Sequence, residues 1–586
     1  MTKNLLGVAL VLIAAAAFAH AQQLATLSIS VLDPSGRVVQ GASVTVSSAE
    51  TGIARKQRTN HSGVAELNAL SAGGYRLSVE AEGFSVAERP LTLTIGQTAS
   101  VTVQMHLAAI KESVQVSGIS AAMDTQTAQS SQVIPPNQIA DLPIADRDFI
   151  DFVLLTPTAN VGRSTATAAQ SPFQESVLQL SFAGLRETHS SFFGLDGTDF
   201  SVSLSGVQHV SPSLDWVQEF RVTDGPYTAD NGRNLGSVIE TVTKSGTNDL
   251  HGAVYEYFRN NAADADNPLS APGLHTLRVN QYGGDAGGHI RRDKTFFFTG
   301  YEGQRRAESP IYSSFILGCI NAQGCMGPGT PSINQVKEMF GLRAENLGSV
   351  LETGNYDKAL GKITQVFSER NVVNVGYLFT DDRKGDIPTA APGQGLPSTY
   401  RDNPVRDQTV YANYLHLFDA RWTSESVVDF GDRLFHMTPK DAGYEPTLEV
   451  SDTLASGGFT GGVSYYHEPH FEAQENLTWV RGAHSFKFGG GFEPVWIAAD
   501  TTLWSPGGAI FTPQSFFGAG EFSGPPFGAG TPVQFLFLEP RSYFGQQVPQ
   551  RPVPFAGSLY AGSAAQNFVS ATNLRFWHRM MNLYGQ

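Results

Sequence analysis

Apolar and polar residues alternate with a period of two through much of the chain after Asn248. Successive side chains of a β-strand point to opposite faces, so this alternation predicts strands with one apolar and one polar face. In residues 371–382 one face would carry Val373, Val375, Tyr377 and Phe379, and the other Asn374, Gly376 and Thr380. Leu378 is the exception. A fold built from such strands needs an apolar environment on one side and a wet one on the other.

The same alternation runs through residues 470–493, HFEAQENLTWVRGAHSFKFGGGFE. The apolar face would carry Phe471, Ala473, Leu477, Trp479, Phe486, Phe488 and Phe492, and the polar face Glu472, Gln474, Asn476, Thr478, Ser485, Lys487 and Glu493. Glu475 interrupts the apolar face.

Short and long links alternate between the predicted strands. Tight turns are predicted at 291–293, at 368–370 and within VRGAH, whereas 261–278, 382–407 and 438–466 are long and rich in Gly, Pro and Asn. Short turns at one end and long loops at the other are typical of an outer-membrane β-barrel, where Glu475 would lie near the membrane boundary. A series of soluble β-sandwiches would also alternate, but it accounts less well for the unequal loops.

Composition narrows the classes of function. With 60 Gly, 37 Phe and 16% charged residues, the 586-residue chain is too aromatic for disorder and too rich in glycine for a helical protein. The formal net charge of −15 argues against a nucleic-acid partner, because phosphate binding needs a basic face.

Residues 1–21 are predicted to be a secretory signal peptide. Lys3 gives a basic start, residues 5–18 an apolar core, and Ala19-His20-Ala21 a cleavage site. No later stretch reaches about 18 consecutive apolar residues, so strands would have to perform any membrane role. In an oxidising compartment Cys319 and Cys325 are predicted to form a loop disulfide, with two unpaired thiols as the alternative.

Residues 22–108 are predicted to form a small β-sandwich. Leu27, Ile29 and Val31 alternate with serines, and short apolar runs follow between turn signals. The segments VLDPSGRVVQGASVTV and GGYRLSVEAEGF, with Thr59 and Gly63 between them, resemble the carboxypeptidase-regulatory-like, transthyretin-type domain. The resemblance implies a carbohydrate-binding-like fold, which would serve either as a sugar-binding module or as a spacer.

A linker is predicted at 109–120. Within it, ESVQVS resembles the TonB box of outer-membrane transporters, a segment that a partner can capture by strand addition. The residues concerned are Glu112, Ser113, Val114, Gln115, Val116 and Ser117. The alternatives are a last strand of the sandwich or a plain linker.

Residues 121–248 resemble the plug of TonB-dependent transporters. The resemblance is carried by the ordered series VQEFRV (217–222), GPY (225–227), GSVI (236–239) and TK (243–244). More narrowly, TKSGTNDLHGAVYEYFRN and DKTFFFTGYEGQRR (293–306) resemble the Oar-like transporters, which carry the regulatory-like domain in front. The residues expected to shape the plug are Asp196, Gly197, Arg221, Gly225, Pro226, Gly232, Gly236, Lys244 and Gly246.

This resemblance accounts for an abrupt change of character within residues 234–260. Residues 238–242 would be the last plug strand, 244–248 the turn out of it, and 251–259 the first wall strand. The polar break would then mark a change of solvent, from protein interior to lipid on one face.

The implied fold is mainly β, with an N-terminal β-sandwich, a small α+β plug and a partial antiparallel transmembrane β-barrel over 249–586. The implied function is that of an outer-membrane receptor that takes up an unknown substrate. Its partners would be outer-membrane lipid, a TonB-type energy-transducing complex and an extracellular ligand such as a carbohydrate, peptide or metal chelate. The alternative is a cell-surface adhesion protein that binds carbohydrate through the N-terminal domain.

No catalytic residue, cofactor or metal site is predicted. In HEPH (467–470) the spacing differs from that of the H-E-x-x-H zinc motif and Pro469 disfavours a helix, so both histidines are expected in a loop. Asp196 and Asp199 could form a carboxylate pair for glycoside hydrolysis, but an Asp-Gly turn explains Asp196 more simply.

About nine wall strands are predicted before Pro494, followed by a long loop. The segment RFWHRMMNLYGQ (575–586) is not predicted to form a wall strand. Because transporter barrels contain about 22 strands, we expect a truncated or frame-shifted product with an incomplete barrel.

Overall fold

The structure of the chain is a computed structural model. It describes residues 24–107, 123–124, 130–142, 147, 149–161, 180–182, 184–185, 191–203, 208, 212–225, 236–265, 273, 275–339, 342–387, 393–419, 421–439, 447–450, 453–457, 462–481, 484–502, 508–511, 534–536 and 572–585. No helix in these ranges is long and apolar enough to cross a membrane. The expected signal peptide and TonB box lie outside the described residues.

The N-terminal domain is a sandwich of two four-stranded sheets. Its strands are β1 (Ala25–Leu32), β2 (Ser43–Ser48), β3 (Ala54–Arg58), β4 (Val64–Leu70), β5 (Gly73–Glu80), β6 (Ala87–Leu93) and β7 (Thr98–Gln104), joined by the short strand β8 (Met123–Asp124). The sheet orders are β4-β1-β7-β8 and β3-β2-β5-β6. Leu27, Ile29 and Val31 are buried between the sheets, so the predicted β-sandwich is confirmed.

A second unit, the inner domain, spans residues 130–243. Its strands are β9 (Ser130–Ile134), β10 (Ala159–Val161), β11 (Leu180–Phe182), β12 (Ser191–Leu195), β13 (Thr198–Asp199), β14 (Val217–Asp224) and β15 (Ser237–Thr243). Helix α1 (Pro136–Asp141) and 3₁₀ turns at Phe149–Leu155 and Leu214–Trp216 complete it. The main sheet has the order β13-β12-β15-β14-β9, in which β12 and β15 run parallel.

The third unit, the wall, is one large antiparallel sheet. Its strands are β16 (His251–Asn260), β17 (Leu277–Arg291), β18 (Thr295–Glu308), β19 (Glu352–Ser368), β20 (Asn371–Ile387), β21 (Arg401–Leu417), β22 (Trp422–His436), β26 (Gly462–Arg481), β27 (His484–Thr502) and β30 (Thr572–Gly585), with β23 (Thr438–Pro439) beside β21. Within the described residues the sheet stays open, with β16 and β30 at its two edges.

The two faces of the wall differ as the alternation predicts. Large apolar side chains are exposed on the outer face, and Val254 is 91% exposed. Other members of this face are Phe258, Ile363, Val375, Tyr377, Val410, Val428 and Phe430. Charged and polar side chains are buried on the inner face, at Glu302, Lys358, Lys362, Asp407, Arg433 and Glu472.

Leu378, the exception to the alternation, belongs to the core of the inner domain. It is buried in one cluster with Trp216 and Phe220 of the inner domain and with Phe298 and Leu360 of the wall. The inner face of the wall is therefore apolar wherever the inner domain, rather than water, lies against it.

Glu475 lies on the outer face near the short-turn end of the wall. Ser424 and Ser426 on the neighbouring strand donate hydrogen bonds to its carboxylate. Close by, the rings of Trp422 and Trp479 stack with centroids 5.4 Å apart. Aromatic residues of this kind border the apolar band of outer-membrane barrels. At this border a charge on the outer face costs less free energy than at the middle of the membrane.

The long connections at the opposite end fold into a small cap. It contains α2 (Ser314–Cys319), α3 (Ile333–Met339), a 3₁₀ turn at Pro397–Thr399, and the strands β24 (Thr447–Val450), β25 (Leu454–Ser456), β28 (Gly508–Phe511) and β29 (Gln534–Leu536). Cys319 and Cys325 form a disulfide in this cap, with their Cα atoms 5.8 Å apart. A buried ion pair between Lys337 and Glu345 lies beside an apolar core that includes Tyr312.

Several expectations about the wall are wrong. The expected loops 382–407 and 438–466 are shorter, because β20 extends to Ile387, β21 begins at Arg401 and β26 begins at Gly462. Both histidines of HEPH lie within β26 rather than in a loop. The wall strands continue beyond the apolar band into regions where both faces are polar, and there alternation no longer identifies a strand.

The end of the wall also differs from expectation. Strand β27 continues through Pro494, and β30 pairs with it over Thr572 to Gly585, although this segment was not expected to form a wall strand. Pairing depends on backbone hydrogen bonds, which a test of side-chain alternation does not detect.

Gly246 provides a test of how the inner domain joins the wall. A Cβ at this position would overlap the carbonyl oxygens of Phe297 and Gly288 on β18 and β17, whereas a Cβ at Gly361 on β19 would meet nothing within 4 Å. We expect Gly246→Ala to destabilise the protein by about 1–3 kcal/mol through overpacking. Gly361→Ala is the matched control, and thermal unfolding in detergent followed by circular dichroism measures both. Equal midpoints would contradict the close approach.

Candidate functional site

The β12–β13 connection is a two-residue Asp-Gly turn that points from the inner domain to the wall. Asp196 has φ 48 and Gly197 has φ 87, and the flanking residues Leu195 and Thr198 pair across the turn. Positive φ at both central residues is typical of the type I′ turn that Asp-Gly favours. The turn is therefore where the sequence predicts it, and it presents the Asp196 carboxylate to the wall.

Asp196 is 2% exposed and accepts hydrogen bonds from both the inner domain and the wall. From β15, Thr243 donates through its backbone N–H at 2.9 Å and its hydroxyl at 2.5 Å. From the wall, Lys362 Nζ lies 3.2 Å from both carboxylate oxygens, and Tyr411 Oη lies 2.5 Å from Oδ2. Asn413 Nδ2 donates to the Asp196 backbone carbonyl at 2.6 Å. We call these five residues the Asp196 lock.

The lock is a buried ion pair with almost no access to water. Lys362 is 7% exposed, and its ammonium also contacts the carbonyl oxygen of Thr243 at 3.2 Å. Gly376 leaves room for the neighbouring Tyr411 ring, because a Cβ there would overlap it. Removing one partner of such a pair leaves an uncompensated charge, so the pair enforces the seated position of the turn.

A second polar cluster surrounds Arg433 on β22. Its guanidinium donates to the carbonyls of Ser201 at 3.0 Å and Asp199 at 2.9 Å, and to the Glu468 carboxylate at 2.8 Å. Glu468 also accepts from the Ser203 hydroxyl at 2.9 Å. Asp199, considered as a catalytic carboxylate, therefore lies in the contact between the inner domain and the wall.

A third cluster centres on Glu302 of β18. Its carboxylate accepts from Ser213 at 2.6 Å, from Tyr255 at 3.1 Å and from Tyr356 at 3.0 Å. Next to Ser213, Asp215 of the inner domain forms an ion pair with Arg147 at 2.7 Å. Burial raises the pKa of the Asp215 carboxyl, and the Arg147 cation opposes this effect.

The expected plug residues have different local roles. The Gly225 N–H donates to the Gly236 carbonyl at 2.7 Å and closes the end of the β14–β15 pair. The Lys244 N–H donates to the Trp216 carbonyl at 2.8 Å. Arg221 faces the N-terminal domain. Pro226 and Gly232 lie outside the described residues.

The wall side of these clusters was missed by the sequence analysis. Inward positions of wall strands hold Lys362, Tyr411, Arg433 and Glu302. Polar and charged residues at such positions of an alternating strand are a usable signal. That signal identifies the inner face but not the partner, because Lys362 and Asp196 are 166 residues apart.

The three clusters hold the inner domain to the wall through hydrogen bonds and charge pairs. Water can replace partners of this kind when a contact opens, so the arrangement suits a domain that is held firmly and then released. In the part of the chain that the structure covers, no group of three or more His, Cys, Asp or Glu side chains could hold a metal ion.

Comparisons with known proteins agree with this architecture. The family described as "Outer membrane beta barrel domain" matches residues 242–333, and the carboxypeptidase regulatory-like domain matches residues 26–106. The TonB-dependent transporter Oar of Myxococcus xanthus is 26% identical over 301 residues, which cover 49% of this chain and 27% of that protein. The chain is a homologue of Oar. It spans about a quarter of the length of the transporter that it matches.

Among solved structures, the outer membrane transporter YddB from Escherichia coli is 12% identical with a TM-score of 0.43, covering 65% of this chain and 50% of that chain. A variant of the ferric enterobactin receptor PfeA from Pseudomonas aeruginosa is 12% identical with a TM-score of 0.42, covering 64% and 49%. The proteins that the chain resembles are transporters and receptors rather than enzymes. This Oar homologue belongs to the outer membrane of Gram-negative bacteria.

The strength of the lock can be measured by removing its cation. Lys362→Met keeps the length of the side chain but leaves the Asp196 carboxylate buried without a charge partner, which we expect to cost about 3–5 kcal/mol. Denaturant unfolding followed by tryptophan fluorescence measures this loss.

The exposed pair of Arg305 and Asp357, at 3.0 Å, supplies the matched control. Arg305→Met should cost only about 0–1 kcal/mol. Adding Asp196→Asn to Lys362→Met should recover part of the loss, because the buried charge is then gone. A loss in Lys362→Met no larger than that in Arg305→Met would contradict the role of the lock.

Proposed function

We propose that the protein is a TonB-dependent transporter of the outer membrane and that its inner domain is the plug. The observation that supports this most directly is the Asp196 lock, in which one turn of the inner domain is tied to β19 and β21 of the wall. A domain that stayed seated permanently could rely on apolar packing, whereas a plug has to leave its position and return.

The positions of the units support the following transport cycle. A ligand would bind on the side of the cap, where the described parts of the long loops pack around their own apolar core. A TonB-type complex would then pull on Glu112–Ser117, a segment between β7 and β8 in the chain. Coupling requires that the ligand-bound plug presents this segment better than the empty plug does.

The substrate class stays open to carbohydrates, peptides and metal chelates. The Lys337–Glu345 ion pair of the cap is buried, so it does not offer a charge to a ligand.

Deleting residues 112–117 tests energy-dependent transport. We expect uptake to be lost while ligand binding to intact cells is retained, because the deletion removes the point of pulling and leaves the cap unchanged. A panel of iron chelates, oligosaccharides and peptides provides the probes. Unchanged uptake after the deletion would refute the proposal and favour adhesion.

A point variant tests recognition of the segment 112–117 by TonB without shortening the chain, as the deletion does. Strand addition needs backbone N–H groups, so Val114→Pro should abolish capture of a TonB C-terminal domain by the full chain in outer-membrane vesicles, whereas Val114→Ala should not. Equal capture by the two variants would show that this segment is not the binding strand.

A further inference from the structure

The N-terminal domain contacts the inner domain through the turn between β6 and β7. The Ile95 N–H donates to the Glu219 carboxylate, and Arg221 Nη1 donates to the Ile95 carbonyl at 3.0 Å. Glu219 and Arg221 are two residues apart on β14, so both side chains lie on one face, opposite the buried Phe220 and Val222. Both polar groups of one peptide residue are thus bound by a carboxylate and a guanidinium. We call this the inner contact.

The domain makes a second contact through its β2–β3 turn. The Asn248 N–H donates to the Glu50 carbonyl at 3.0 Å, and Asn248 Nδ2 donates to the Thr51 carbonyl at 2.7 Å. Asn248 also bonds twice with Asp293, the turn residue between β17 and β18. Gly52 fits closely here, since a Cβ on it would lie 2.9 Å from Asp293 Oδ1. We call this the outer contact.

These two contacts connect all three units at the short-turn end of the wall. The outer contact binds the polar break between the inner domain and β16, and the inner contact binds the strand next to the edge of the inner sheet. Both contacts bind backbone atoms of the N-terminal domain. They therefore depend on the shape of two turns rather than on particular side chains of that domain.

The strands that follow the link 108–122 in the chain lie beside the inner contact. After β7 and the link 108–122 comes β8, whose two described residues pair with Ala99 and Ser100 of β7. The chain then enters β9, an edge strand that pairs with β14. Arg221 binds the Ser131 hydroxyl of β9 at 2.7 Å, so it joins β9 to the N-terminal domain.

We propose that the N-terminal domain is a latch that holds the inner domain in its seated position, and that tension on the link 108–122 opens this latch before the Asp196 lock. The source of the tension rests on the proposed function, whereas the latch itself does not. Removal of β8 would leave the start of β7, next to the Ile95 turn, paired on one side only, with β1, and removal of β9 would take Ser131 from Arg221. The inner contact then loses the support on one side of its guanidinium.

Hydrogen exchange of the full chain in detergent tests the latch without any partner protein. Arg221→Ala should speed exchange in a peptide containing Ile95 by about tenfold or more, because hydrogen bonds to charged groups are the strong ones. Arg76→Ala removes an exposed arginine of the N-terminal domain and should leave exchange in this peptide unchanged. Exchange around Leu27 to Val31 should stay slow in both, which shows that the sandwich remains folded.

Arg221→Lys keeps the charge but lacks the planar fork that binds two partners at once, so it should also loosen the contact. Arg221→Lys replaces Arg221→Ala in the exchange experiment if Arg221→Ala fails to fold. Unchanged exchange at Ile95 in the folded variant overturns the latch.

The order of opening can be measured by single-molecule pulling from Gln115→Cys with the wall immobilised. A disulfide between Gly52→Cys and Asp293→Cys should raise the force of the rupture that follows the release of β8 and β9, and reduction should restore it. Gly52→Cys alone controls for strain at φ +72, and the chain without added pairs controls for reduction of Cys319–Cys325.

Equal forces for this rupture in the oxidised and reduced double variant would overturn the proposed order. Because these experiments contain no TonB-type protein, they can succeed when deletion of 112–117 has no effect on uptake. The failure of the latch and the failure of the transport proposal are thereby distinguishable.

Docking should also depend on pH through Glu219. Burial raises the pKa of its carboxyl from 4.5 to about 7, while the Ile95 N–H and the Arg221 cation, the groups that act on it among the described residues, oppose the rise. The docked state therefore keeps a proton that the undocked state loses, so docking is strongest below about pH 4.5 and weakens as the pH rises towards 7. Exchange at Ile95, corrected for intrinsic rates, should speed up over this window.

Glu219→Gln should remove the pH dependence, because its neutral amide resembles the protonated acid. Glu66→Gln, a change in the N-terminal domain away from both contacts, should keep it. A pH profile that is the same in Glu219→Gln and the unchanged chain would show that another group controls docking.

Discussion

Each wall strand has to satisfy two environments at once, and the organisation of the whole chain follows from that. In lipid every backbone N–H and C=O must be bonded within the protein, which a long antiparallel sheet achieves. The outer face then has to be apolar, as at Val254 and Phe430, whereas the inner face can carry charge only if the charge is solvated or paired. Where the inner domain excludes water, pairing is the remaining choice, and Lys362 and Arg433 are paired with groups of that domain.

This requirement explains why the contact between the inner domain and the wall combines two kinds of surface. Apolar packing occurs where Phe298, Leu360 and Leu378 meet the inner core. Around it lie carboxylates and cations whose partners water could replace. Breaking apolar contacts costs free energy in proportion to the area exposed, whereas a polar contact that opens to water loses little net free energy. The polar clusters therefore hold the inner domain in one position against the wall. They still permit the inner domain to leave that position.

Alternation in the sequence was sufficient to predict the faces of the wall, its tight turns and the mainly β class, because each follows from the period of a strand. The sequence was also sufficient to predict the Asp196 turn, because its backbone conformation is a local property of the Asp-Gly pair. The partners of Asp196 could not be predicted in the same way, since Lys362 and Tyr411 are distant in the chain and are brought together by the register of β19 to β21. The ends of the wall strands were missed for a related reason: beyond the apolar band both faces are polar, and the pattern no longer marks the strand.

The arrangement of the edge strands makes the structure weak against a force applied at the link 108–122. Antiparallel strands that are pulled from one end separate one residue pair at a time, whereas the strands at the centre of a sheet are bonded on both sides. Among the described residues β8 is held by two residue pairs and β9 by five, and these are the first two strands after the link 108–122 in the chain. β12 and β15, by contrast, have neighbours on both sides, and Asp196 and Thr243 of the lock flank or end these strands. Force that enters at the link thus meets the least supported pairs first and reaches the Asp196 lock last, so the lock can be strong without preventing the first step of opening.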